Sequence, residues 1–281
     1  MEAAIVLARE AGDAIGKYYA LEIVSEQKIG VDNFAEPVTA ADREASRIIV
    51  EGLERLFPND GVLSEEEADK LEERLSRTRV WFIDPIDGTS GFIKKDGDFA
   101  VQIGLAENGV AVLGVVFMPA RNVLYYGSKG KGSYAVRNGS PPIRLEVSGK
   151  TNFGDIALAV SRDHRSPKMS QIVRDFGLRN EIERGSVGVK IGLIAEQICD
   201  LYIHLSPRTK FWDTCGPEVI LEEAGGRLTD LFGKAMRYDL SNVQNLNGIL
   251  ASNGTVHESA VATLKPILHE FGRLKITSAG K

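Results

Sequence analysis

Apolar residues recur three and four positions apart over residues 2–20 and again over about 40–57, a spacing that predicts two amphipathic helices. In the second, Ile48, Ile49, Leu53 and Leu56 form the apolar stripe. Phe57-Pro58 closes it, because proline cannot continue a helix. Thr39, or nearby Asp42, is placed to satisfy free N–H groups at its start. Gly61-Val62-Leu63 leads into Ser64-Glu65-Glu66-Glu67 as a short strand ending in acids, and the charge-rich stretch 64–76 reads as a short solvated helix. The period then changes. Val80-Trp81-Phe82-Ile83 has the pattern of a buried strand and runs straight into Asp84-Pro85-Ile86-Asp87-Gly88-Thr89.

From Phe99 to about Val136 the pattern is that of strands, with Asn108-Gly109 as a hairpin signal and further turns at the glycines of 127–132. Turn residues cluster over Asn138–Pro142, which predicts a boundary between an N-terminal α/β subdomain, 1–142, and a C-terminal one, 143–281. Strand and helix then alternate through 156–161, 167–177, 187–198 and 200–206. A helix follows Trp212, a strand covers 248–251, and a last helix runs near 255–270. This mixture predicts an α/β chain of the layered α+β kind.

Composition narrows the function. A chain of 281 residues with 43% hydrophobic content can bury a large core without disulfides. The net charge of −5 argues against nucleic acid as a partner, since neutralising many phosphates takes a basic face. A small anionic substrate stays open, because a bound cation supplies positive charge locally. Cys199 and Cys215 form no CxxC pair, the usage of a reducing compartment. Glu2, Arg9, Glu10 and Asp13 break the first segment, so it does not read as a secretory leader. No apolar run approaches the roughly 20 residues of a membrane span. The expectation is a cytoplasmic protein with no membrane partner.

The chemistry concentrates in DPIDGT. Pro85 stiffens the turn so that Asp84 and Asp87 can face one point, and Gly88 permits a close or left-handed backbone. Hard carboxylate oxygens suit Mg²⁺, which keeps waters and bridges to substrate phosphates. Taken alone, the same residues also make an ordinary surface turn. Likewise Glu65-Glu66 alone is a solvated charge run, while Asp213 and Asp42 alone are helix caps. The histidines (164, 204, 257 and 269) match no zinc spacing.

Together, Glu65-Glu66, Asp84–Thr89, and Trp212-Asp213 through Ala224-Gly225-Gly226 resemble the motifs of the inositol monophosphatase superfamily in order and spacing. The resemblance runs from about residue 5 to 270. It implies a five-layer α-β-α-β-α sandwich of two α/β subdomains and a Mg²⁺-dependent phosphomonoesterase using two or three ions. Carried over residue by residue, it makes Glu65, Asp84, Asp87, Asp213 and the Ile86 carbonyl metal ligands. Thr89 and Glu65 would hold the attacking water, with Asp42 orienting the Thr89 hydroxyl. Asp87, Gly88, Thr89 and Asp213 would also meet the substrate.

Within the superfamily the chain is most similar to the 3′(2′),5′-bisphosphate nucleotidases, the bacterial CysQ group, which remove the 3′-phosphate of adenosine 3′,5′-bisphosphate. The stretches 92–101, 161–166 and 185–198 carry that similarity, and it implies His164, Ser186 and Lys190 as contacts to the second phosphate and sugar. Lys210, before the Trp-Asp pair, would favour an additional anionic group. Lys190 on a solvated helix face and His164 as a helix cap are the plainer alternatives. Two departures stand out: Ser90-Gly91 follows DGT where many bacterial relatives carry Lys-Glu, and Lys210-Phe211 replaces the Glu or small residue of the inositol enzymes. The alternatives are an inositol monophosphatase or fructose-1,6-bisphosphatase-like enzyme, and a catalytically silent metal- and nucleotide-binding regulator. The expected partner is a small phosphate ester, and relatives of this kind are often homodimers.

Overall fold

The computed structural model describes residues 1–31, 33, 35–162 and 166–276. Helix α1 (Glu2–Tyr19) and helix α2 (Ala40–Leu56) form where the 3.6-residue spacing places them. Between them a two-stranded hairpin, β1 (Ser25–Ile29) and β2 (Ala35–Thr39), was not legible in the pattern, because β1 is largely exposed and shows no apolar alternation. The two helices bury Leu7, Ala11, Ile15, Ala45, Ile49 and Leu53 against one face of a seven-stranded sheet. That sheet runs β3 (Gly61–Ser64), β4 (Arg79–Asp87), β5 (Ala100–Glu107), β6 (Val110–Met118), β7 (Val123–Ser128), β8 (Ser133–Arg137) and β9 (Ile143–Arg144), neighbours in that order. The expected helix over 64–76 shortens to α3 (Leu71–Ser76). Residues 65–67 instead form a turn at the end of β3, where the Glu65 N–H donates to the Ile83 carbonyl at 3.0 Å and the Glu67 N–H to the Ser64 carbonyl at 3.1 Å.

Helix α4 (Thr89–Ile93) follows β4 at once. The second sheet joins β10 (Ala157–Ser161), β11 (Asn180–Arg184), β12 (Leu201–His204), β13 (Arg227–Thr229) and β14 (Ile249–Ser252), in the order β11-β10-β12-β14-β13. Helices α5 (Pro167–Phe176) and α8 (His257–Glu270) cover its outer face through Ile172, Phe176, Leu264 and Leu268. Helices α6 (Val187–Ala195) and α7 (Phe211–Glu223) lie between the sheets. Every residue of α6 is buried, which is why its apolar residues run all the way round. The layers are therefore α1/α2, sheet, α6/α7, sheet, α5/α8. The seven-stranded sheet continues past residue 142, since β9 pairs with β8.

Two close approaches seat α7. A Cβ on Gly114 would lie 2.0 Å from the Gly216 carbonyl oxygen, and one on Gly104 would lie 2.5 Å from the Gly216 nitrogen. Helix backbone thus rests directly on strand backbone, and the helix that carries Asp213 is held against β5 and β6.

Candidate active site

Residues three apart on a flat strand point to opposite faces, so Asp84 and Asp87 should diverge. They do not, because β4 bulges between them. Asp84 pairs with Gln102 and Asp87 with Ala100, so three residues on β4 oppose two on β5. The added residue brings both carboxylates to one side, the re-aiming that bulges produce. Gly88 then turns the chain in the left-handed region, at φ 92°.

Asp213 arrives from α7. Lys210 is the N-cap, and the Asp213 carboxylate at N3 accepts the Lys210 N–H at 2.6 Å. Ligand oxygens of Asp84, Asp87 and Asp213 all lie within 4.8 Å of one another. Three carboxylates so close, two buried and one half-buried, repel one another. Burial, then Glu65, Asp87 and Asp213, push the Asp84 carboxyl well above the usual carboxylate range. Burial and then Asp87 raise Asp213 in the same way. The Asp84 Oδ1 is buried with no hydrogen-bond partner. An orphaned oxygen inside a carboxylate cluster is the donor set of a hard divalent cation, and these residues fit one.

The surrounding residues hold the cluster. Asp87 Oδ2 accepts from Gln102 Nε2, Ser186 Oγ and the Gly188 N–H, the last at 2.8 Å, so strand β5 and the start of α6 both fix it. Ser186, the N-cap of α6, also accepts the Val189 N–H at 3.0 Å. Asp42 sits at N3 of α2, and its Oδ2 accepts the backbone N–H and hydroxyl of Thr39 at 2.8 and 2.6 Å. The Thr89 hydroxyl lies 3.1 Å from the Ile86 carbonyl and 3.4 Å from Asp42 Oδ1. Capping and the proposed Thr89 contact are thus compatible in Asp42, one oxygen for each. Burial lifts the Asp42 carboxyl to about 6 against the pull of the Thr39 bonds.

Lys190 is not on a solvated face. It is 3% exposed, its amine donates to the Gly185 carbonyl, and it lies 4.9 Å over the Tyr202 ring. Burial pulls its amine down to about 8, opposed by Asp87 and Asp213. Lys210 is also buried and pairs with Glu36 on β2, so its charge is already partnered. Glu65 lies beside Asp84 but outside the 4.8 Å triad, and Lys28 from the hairpin binds it at 3.0 Å and Glu66 more closely. Beside these, a cleft of 310 Å³ is lined by Lys28, Glu36, Arg43, Glu65, Glu66 and Trp212 among others. His164 lies outside the described residues. Sequence reasoning missed Lys28, Glu36 and Gln102. Each reaches the site across the fold, with no local motif to announce it.

Over residues 1–269 the sequence matches the description "Inositol monophosphatase family". The chain belongs to the inositol monophosphatase family. It is 36% identical to 3′(2′),5′-bisphosphate nucleotidase CysQ of Salmonella typhimurium, over 85% of this chain and 93% of that protein. Against CysQ of Escherichia coli K12 the identity is 35%, over 83% and 91%. Among solved structures, an inositol monophosphatase of Thermotoga maritima superposes with TM-score 0.78 at 27% identity, covering 95% of this chain and 97% of that one. CysQ of Bacteroides thetaiotaomicron superposes with TM-score 0.75 at 29% identity, covering 90% and 96%. The five-layer order seen here is therefore the family's fold. No helix among the described residues is long and apolar enough to cross a membrane.

Proposed function

We propose that this family member is a Mg²⁺-dependent 3′(2′),5′-bisphosphate nucleotidase that converts adenosine 3′,5′-bisphosphate to AMP and phosphate. The observation that carries the substrate assignment is that the curated relatives matched over 93% and 91% of their length, at 36% and 35% identity, are named 3′(2′),5′-bisphosphate nucleotidase CysQ. Glu65, Asp84, Asp87, Asp213 and the Ile86 carbonyl would hold two or three Mg²⁺ ions. When bound, such ions polarise the phosphoryl oxygens and lower the pKa of a water.

The chain's own side chains supply position. Asp42, ionised above about pH 6, accepts from Thr89 and aims that hydroxyl, while Glu65 gives the second contact to the attacking water. Asp87 ties the metal ligands to α6 through Ser186. Lys190 on the same helix is a compact buried cation, the kind of charge that suits a second phosphate. Gly88 and Asp213 complete the surface met by substrate, with His164 and Lys210 as further contacts. The same reading carries a cytoplasmic location and a homodimer. A second reading, an inositol or sugar phosphatase, draws support from the TM-score of 0.78 with the T. maritima enzyme.

Phosphate release with Mg²⁺ from adenosine 3′,5′-bisphosphate, inositol 1-phosphate and fructose 1,6-bisphosphate separates the two. The nucleotide is expected to lead in kcat/KM by at least about a hundredfold, roughly 2.7 kcal/mol of discrimination. A lead for either sugar ester transfers the assignment to the second reading.

A further inference from the structure

Asp96, Gly97 and Asp98 lie between α4 and β5, and none of them has a role above. Asp98 is fully buried although its side chain is a carboxylate. Taking such a charge out of water costs several kcal/mol unless opposite charges meet it. Two arginines from distant parts of the chain do so. Arg121, in the single turn after β6, donates from Nη2 to Asp98 Oδ1 at 2.8 Å. Arg162, just past β10, donates from Nη2 to Asp98 Oδ2 at 2.6 Å and from Nη1 to Asp96. The planar fork of Arg162 therefore spans two carboxylates, a geometry that lysine lacks. Asp96 is fixed in turn, since its Oδ1 accepts the Asp98 N–H at 2.9 Å.

The backbone of this turn touches the site on both sides. A Cβ on Gly88 would lie 2.8 Å from the Asp98 carbonyl oxygen and 3.2 Å from the Ser186 nitrogen. On Gly91 and Gly185 the same carbonyl would be 2.9 and 2.6 Å away. Gly88 belongs to the metal-ligand turn on the first sheet. Gly185 opens α6 on the far side and receives the Lys190 amine, which also lies 3.4 Å from Ser161 Oγ. Ser161 directly precedes Arg162. One three-residue turn thus holds the DPIDGT turn, the end of β10 and the start of α6.

We propose that Asp96, Asp98 and Arg162 form a clasp that positions the pocket for the part of the substrate beyond the reacting phosphate. Arg162 is a positioning residue. Through Arg162 and the Asp98 carbonyl that abuts Gly185, Ser161 and Lys190 are held in register with Asp84 and Asp87. The proposal rests on the reading that Ser186 and Lys190 contact the rest of the substrate. An ion pair that merely stabilised the fold would, when weakened, impair every ligand alike. A positioning clasp would spare inorganic phosphate, which fills only the reacting-phosphate position.

Two variants test this in the full-length, Mg²⁺-loaded protein. Arg162→Lys keeps the charge and removes the fork, whereas Asp96→Asn keeps the acceptor for the Asp98 N–H and removes one charge. Asp96, with a side chain 23% exposed, is the milder change if Arg162→Lys fails to fold. The measurements are kcat and KM on adenosine 3′,5′-bisphosphate, the inhibition constant of inorganic phosphate, and the unfolding midpoint. KM is expected to rise about tenfold, with kcat and the phosphate constant within about twofold. An unchanged KM, or an equal rise in KM and the phosphate constant, overturns the clasp. Failure of the substrate assignment shows separately, as a wild type that prefers another ester, and the same two constants on that ester then judge the clasp.

Discussion

Asp42 and Asp213 hold the same place in two helices. Each is the N3 residue, and each gives Oδ2 to the N–H of the residue before its helix. Capping thereby fixes the rotamer of a side chain that also faces the site, so the ordinary reading of these residues as caps and their proposed roles are compatible. The arrangement makes Asp213→Asn an informative change, because the amide oxygen can still accept the Lys210 N–H while one charge leaves the cluster. Turnover should fall about a thousandfold or more, from losing several kcal/mol of metal-dependent charge stabilisation. The metal-free unfolding midpoint should hold or rise, since a repulsive buried carboxylate is gone. Added Mg²⁺ is expected to raise that midpoint in the wild type and not in the variant. Wild-type turnover, or an undiminished Mg²⁺ shift, would remove Asp213 from the ligand set. Asp87→Asn is less clean, because Asp87 also anchors Ser186, Gln102 and Gly188.

At the scale of elements, the site depends on how closely α7 can lie on the sheet. Glycines at 104, 114 and 216 let backbone meet backbone, so neither partner can yield as a flexible side chain would. Gly114→Ala forces a methyl against the Gly216 carbonyl and must lift the helix. The expected cost is about 1–3 kcal/mol, with a loss of kcat as Asp213 leaves its place beside Asp84. Gly16→Ala on α1 is the control, because nothing lies within 4 Å of its Cβ position. It should stabilise by up to about 1 kcal/mol through helix propensity alone. Thermal unfolding and kcat of the two variants decide the matter, and full kcat in a destabilised Gly114→Ala would show that Asp213 does not depend on this contact. The DPIDGT turn was legible at this scale: a buried strand, a proline and a glycine announce a special turn. The bulge was not, because it exists only as a register between β4 and β5.

For the whole molecule, the outer layer is pinned by a histidine remote from the chemistry. His257, at the start of α8, lies 2.9 Å from the Thr229 hydroxyl through Nε2 and 2.9 Å from the Ser252 hydroxyl through Nδ1. Thr229 donates its own proton to the Asp230 carbonyl, so Nε2 must carry the hydrogen and Nδ1 must accept from Ser252. Burial, then Arg227, lower this imidazole from 6.5 to about 4. The folded state therefore binds fewer protons than the unfolded chain between those values. The contribution is fully present above about pH 6.5 and is lost as pH falls towards 4, about 3 kcal/mol across the window. The unfolding free energy of wild type minus His257→Gln should shrink by roughly that amount from pH 7 to pH 4. A constant difference would show that His257 does not titrate with unfolding.

The sequence by itself determined the two amphipathic helices, most of the strands and the family, and it singled out Asp84, Asp87 and Asp213, which the fold brings within 4.8 Å of one another, because each rests on a local period or a short contiguous motif. Tertiary structure alone decided the rest. The bulge that turns Asp84 and Asp87 to one side, the burial of Lys190, the pairing of Lys210 with Glu36 and the clasp at Asp98 are all contacts between distant segments. Helical spacing could not tell the solvated face from the buried one at Lys190, because α6 is buried all round, against α7 and between the two sheets. Charge alone could not show that Lys210 is paired with Glu36, because its partner lies 174 residues away in the chain.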